Sequence, residues 1–485
     1  MRAWITVTGL FLLVLGCVSP PPPELAEAPA PSPPTKYFEA ARKAATWVDS
    51  QTQESETGLT WYDPWQPEEG TELPEDFPLD LVSVGQGLYH GNAGVIRFWL
   101  EAYRFTDDET YLDRAKRGAD YVLARLPSAA PEDPQYAGAY GSHDGWGGVL
   151  WMLEQVYQAS GEERYRDGAR RLLDQLHADA RDDGAGGVHW REGNELFYGN
   201  AGHGLLLLWA AETFDHPPSR ELAERAGRWL LTSSKPREGG ITWPWGEQRT
   251  DLVMPNFSHG TAGVAYFLAR LHQATGDDVF LDAALDGASH LTTVANRGES
   301  GDHCLIFHHE DRPDREGEDR YYLGFCHGPV GTSRLFEGLY QATGDETWRE
   351  WVAAGTRAVA ESGIPEQQTD GYWNNVSQCC GSAGVIDHFI DQYRLTGDRA
   401  HLHFAIHMAD DLLARASEEN GGFKWIQAEH RVQPDNVQAH VGYMQGAAGI
   451  AASLFHLDAA LRGIDTAWLR FIDDPWADGD VAQGT

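Results

Sequence analysis

One four-residue phrase, Gly-x-x-Gly, opens an apolar stretch seven times along this chain, and this repetition constrains the fold most tightly. The copies begin at Gly91, Gly145, Gly199, Gly260, Gly328, Gly381 and Gly446, at successive distances of about 53 to 68 residues. That period suits a helical hairpin with its loop. A second phrase follows at a near-constant offset, as in Thr275-Gly276-Asp277, Thr343-Gly344-Asp345 and Thr396-Gly397-Asp398. There the glycine ends one helix and the aspartate caps the next. Stretches after the first phrase, such as Val264–Leu268 and Gly204–Trp209, are apolar nearly all round and predict enclosed helices. Those after the second phrase, such as Phe280, Leu281, Ala284 and Leu285, carry an apolar stripe between charges and predict outer helices.

A further amphipathic helix near Tyr37–Ser50 completes seven outer and seven inner helices. Pairing them head to tail predicts an all-α fold, an α/α toroid of seven helical hairpins. The seven inner helices then start at the same end. Their N–H groups and partial positive charges are expected to converge on one central mouth.

The residues just before each first glycine should line that mouth. They are His90, Asp144, Tyr198, His259, His327, Cys380 and Gln445, and one step further back Tyr89, His143, Phe197, Ser258, Cys326, Cys379 and Met444. A scaffold junction needs no ionisable group, so their enrichment argues for a site. Cys326, Cys379 and Cys380 stand at neighbouring helix starts, where thiolates are favoured. Three soft ligands with a fourth position open describe a catalytic zinc site. The residues alone leave two alternatives: a disulfide from Cys326 to Cys379 or Cys380, and inert buried thiols.

The first residues predict the compartment. Arg2 precedes a short apolar run, Ala3 to Leu15, which ends in Val14-Leu15-Gly16-Cys17. Residues 1–16 read as a lipoprotein signal peptide, Cys17 as the lipidated residue and 17–36 as a Pro-rich tether. Residues 37–475 are then the toroid and 476–485 a short tail. The expected protein is exported and anchored to a membrane from outside the cytoplasm. Its 73 acidic residues against 37 basic ones leave −36 without a basic run, which excludes a nucleic-acid partner.

At Ser258-His259-Gly260-Thr261-Ala262-Gly263, Phe325-Cys326-His327-Gly328 and Cys379-Cys380-Gly381-Ser382-Ala383-Gly384 the chain resembles the lanthionine synthetase C-like family, the lanthionine cyclases. The resemblance spans roughly residues 37–470 and implies a seven-hairpin α/α barrel with one zinc, held at positions matching Cys326 and Cys379-Cys380. Here Cys380 stands where His is commoner, and Phe325 replaces a usual Trp. The family's Asp upstream of the second repeat's glycine is also displaced, with Asp144 next to Gly145. The implied chemistry adds the thiol of a peptide or small molecule to a dehydroamino acid, forming a thioether. His259 is the first candidate for proton transfer, His327 the second, and Asp144 the mouth's one carboxylate at these positions. A carbohydrate-active toroid would need paired carboxylates. A binding or scaffold protein that keeps barrel and zinc without cyclase activity is the other reading, and export supports it.

Overall fold

The computed structural model describes residues 33–61, 85–128, 139–190, 193–246, 250, 252–296, 321–369, 371–431, 433–464, 466 and 470–477. Cys17, the Pro-rich stretch as far as residue 32, and Cys304 lie outside them. Fourteen α-helices alternate along the described chain. The inner helices are α2 (Asn92–Thr106), α4 (Trp146–Ser160), α6 (Asn200–Thr213), α8 (Thr261–Thr275), α10 (Pro329–Thr343), α12 (Ser382–Thr396) and α14 (Ala447–Arg462). The outer ones are α1 (Lys36–Ser50), α3 (Glu109–Leu123), α5 (Glu163–Ala178), α7 (Pro217–Ser233), α9 (Asp278–Val294), α11 (Thr347–Glu361) and α13 (Arg399–Arg415). Each inner helix packs on the outer helix that follows it, and α1 packs on α14, so the chain's two ends close the ring. Neighbouring inner helices touch all the way round, from α2 through α14 and back to α2. The fold is the expected α/α toroid.

The hairpin turns follow the sequence. Gly276, Gly344 and Gly397 adopt left-handed backbone (φ between 68° and 72°) and end their helices. The Asp277 and Asp398 side chains then accept the Val279 and Ala400 amides at the starts of α9 and α13.

The glycine phrase has a different cause. The loop before each inner helix doubles back over its first turn. A Cβ at Gly202 would lie 1.9 Å from the Leu196 carbonyl oxygen, and one at Gly449 would lie 1.8 Å from that of Tyr443. Only glycine admits this approach. The fold-back lets loop carbonyls accept the first helical amides: Asn200 and Ala201 donate to Gly193 and Asn194 (2.8 and 3.2 Å), and Thr261 and Ala262 to Met254 and Pro255 (2.8 and 3.2 Å). The same pattern recurs at Ala383 with Val376 and at Ala447 with His440. The expected array of unsatisfied N–H groups at the mouth is therefore corrected. Their donors are spent on the chain's own loops, since buried amides seek partners.

Just below the mouth the interior turns ionic. Arg97 pairs with Glu101 (2.9 Å), Arg334 with Asp473 (3.2 Å), Arg470 with Asp391 (2.9 Å) and His456 with Asp387 (2.9 Å). All of these residues except Glu101 line a cavity of about 100 Å³. Burial alone would lower the His456 pKa, but Asp387 and Glu101 carry it up to about 9. Residues 470–477 bring Arg470, Phe471 and Asp473 into this layer, where Phe471 meets Trp151 edge to face (5.0 Å).

A candidate thiol centre at the toroid mouth

The residues two places before the glycines are held side by side by a ladder of backbone hydrogen bonds. Phe197 N–H donates to Ser258, Ser258 to Cys326, Cys326 to Cys379, Cys379 to Met444, Met444 to Tyr89 and Tyr89 to His143, at 2.9 to 3.3 Å. This ladder converts a sequence register into spatial neighbours. It places Cys326 directly beside Cys379, although they are 53 residues apart in the chain.

The sulfurs of Cys326, Cys379 and Cys380 all lie within 4.8 Å of one another. Cys326 and Cys379 are buried, while Cys380 is partly open, its Sγ 3.2 Å from that of Cys379. Cys326 and Cys379 are joined as a disulfide, one of the alternatives that the sequence leaves open. Reduced, the same three residues could hold one metal ion. Sulfurs around a tetrahedral zinc sit about 2.3 Å from it and hence about 4 Å apart, which this cluster can span. The Cys380 thiol is pushed up to about 12, first by burial and then by Glu429. It stays protonated unless a cation offsets that field.

His259 faces the same mouth. Its Nδ1 lies 2.7 Å from Glu195 Oε2, and its ring stacks on Tyr198 with centroids 5.7 Å apart. Glu195 is buried and also accepts the Phe197 and Tyr198 amides (3.0 and 2.6 Å), so it is fixed as an acceptor. That contact assigns the proton to Nδ1 and leaves Nε2 as the second functional nitrogen. The His327 ring stands 5.6 Å from that of His259. Asp144 is not hydrogen-bonded to His259. Its Oδ2 accepts the Tyr198 hydroxyl (2.9 Å), and Oδ1 lies 3.9 Å from His90 Nδ1. Burial raises the Asp144 pKa, against the opposing pull of His90.

Two acidic residues were not foreseen. Glu195 lies four places before Gly199, where other repeats carry glycine, serine or asparagine, and that contrast was its only signal. Glu429 comes from the loop between Gln427–Ala428 and Val437–Gln438, and its Oε1 lies 2.8 Å from His90 Nε2. Among the described residues the mouth thus holds three carboxylates, Asp144 at a position just before a glycine and Glu195 and Glu429 away from those positions.

Fold and site together define a helical toroid with a thiol centre and a carboxylate-held histidine at one mouth. The model of the lanthionine synthetase C-like proteins matches residues 82–463, and the chain belongs to that family. Among solved structures it is similar to nisin cyclase, with a TM-score of 0.56 and 13% identity over 78% of this chain and 94% of that one. At that identity the likeness concerns the fold. A protein from Listeria innocua (TM-score 0.46, 12% identity, 88% and 97% covered) and an alpha-mannanase from Bacteroides thetaiotaomicron (0.43, 13%, 88% and 97%) are more distant, and at these scores neither bears on function. No curated protein sequence matches.

Proposed function

We propose that the chain is an exported, zinc-dependent cyclase-like enzyme that adds a thiol to a dehydroamino acid. The observation that carries this reading is the thiol cluster sharing one mouth with the His259–Glu195 pair. Cys326, Cys379 and Cys380, when reduced, would hold the metal, and zinc bound there would lower the pKa of a thiol taken at its open position. The other roles belong to this chain's residues. Glu195 holds Nδ1–H of His259, so Nε2 accepts the proton of the substrate thiol. The sulfur adds to the β-carbon of the dehydroamino acid while the double bond's electrons move toward the carbonyl. Nε2–H then returns the proton to the α-carbon, which balances the addition. The test is thioether formation on a dehydroalanine peptide by reduced, zinc-supplemented protein.

One observation favours a second reading. With Cys326 and Cys379 oxidised, Cys380 is the cluster's remaining thiol, and a barrel in that state would serve for binding or scaffolding without thiol addition.

Export rests on residues 1–36. No described helix is long and apolar enough to cross a membrane. We propose that Cys17 carries the lipid anchor, and Cys17→Ser should move the protein from the membrane to the soluble fraction. Continued membrane partition after a salt wash contradicts the anchor.

A further inference from the structure

We propose that Asp144 and Glu429 form a subsite for a protonated amine, so that the thiol substrate of this chain carries an ammonium group. The inference rests on the thiol-addition reading and adds a substrate class to it. Both carboxylates are at least nine-tenths buried, with 8% and 9% of their side chains exposed. Each has one oxygen engaged, by Tyr198 and His90 respectively. The other oxygens, Asp144 Oδ1 and Glu429 Oε2, have no hydrogen-bond partner. A buried carboxylate oxygen without a donor is costly, which marks a place that a ligand's donors would fill.

The facing groups sharpen the choice. His90 stands between the two, within hydrogen-bond distance of Glu429 and 3.9 Å from Asp144. His440 Nε2 lies 4.0 Å from Glu429 Oε2, and His430 also acts on that carboxylate. Among the described residues neither carboxylate has a lysine or arginine within salt-bridge reach. Two carboxylates among imidazoles repel an anionic ligand and attract a cationic donor.

The location ties the subsite to the thiol. Asp144 accepts the hydroxyl of Tyr198, whose ring stacks on that of His259 at 5.7 Å, while Glu429 is the charged group whose field reaches the Cys380 thiol. An ammonium held by these carboxylates would lie along the mouth between Cys380 and His259. A free aminothiol and a peptide beginning with cysteine share this chemistry.

Calorimetric titration of the reduced full chain with cysteamine, N-acetylcysteamine and 3-mercaptopropionate tests the proposal, with the cysteinyl-glycine amide and its N-acetyl form to separate small thiol from peptide. Cysteamine or the free dipeptide should bind at least about tenfold more tightly than its acetylated form, and 3-mercaptopropionate weakest of all. Glu429→Gln, close to isosteric, should bring the amine and its acetylated form to within about threefold. Equal affinities, no binding of any probe, or an unchanged preference in Glu429→Gln overturns the subsite. Thiol-addition assays with the same compounds keep the two readings apart. Addition without amine preference removes the subsite alone, and amine-selective binding without any addition removes the enzyme reading alone.

Discussion

Cys326→Ala should lower bound zinc from about one ion per reduced chain to none, and thiol addition should fall to background with it. Cys326 is the one cluster member from the fifth repeat; the other two come from the sixth. Its backbone is pinned on both sides, donating to Cys379 and accepting from the Ser258 amide and hydroxyl (3.1 and 2.8 Å). The alanine variant therefore keeps the ladder and loses only the sulfur, and two thiolates with no third bind zinc far more weakly. Elemental analysis after reduction and gel filtration measures the change. Zinc at wild-type stoichiometry in Cys326→Ala would show that the metal sits elsewhere.

His259→Ala should do the opposite to the metal and as much to the chemistry. Zinc content should stay at the wild-type level, because the His259 ring is engaged by Glu195, Tyr198 and Trp245 and not by sulfur. Thiol addition should drop by about 10²- to 10⁴-fold, the usual contribution of a positioned acid–base group. The partly exposed ring, with 17% of its side chain open, can be removed without leaving a buried void. Loss of zinc from His259→Ala would make this histidine a ligand and undo the three-cysteine assignment.

The toroid was legible because its signal repeats. Seven glycine phrases and the capped turns between them gave the helix count, and the register before each glycine foretold which residues meet. Asp144, His259, His327 and the three cysteines all reach the mouth for that reason. What the register could not show depends on chain that leaves it. Glu429 arrives on an irregular loop with no fixed distance to Gly446, and Glu195 lies further from its glycine than the two positions that line the mouth in every repeat. The spent helix donors were hidden as well, since a glycine in sequence does not say which carbonyl approaches it. The ionic layer had a faint signal, a charged residue at the sixth position of α2, α10 and α12 (Arg97, Arg334 and Asp387). The apolar residues around each masked it.

Mass spectrometry can follow thioether formation by the reduced, zinc-loaded chain on a dehydroalanine-containing peptide, against the same mixture without protein. Wild type should accelerate the reaction, and the acceleration should be lost in both Cys326→Ala and His259→Ala and on oxidation to the Cys326–Cys379 disulfide. A wild-type chain that holds one zinc and accelerates no thiol addition would contradict the thiol-addition reading.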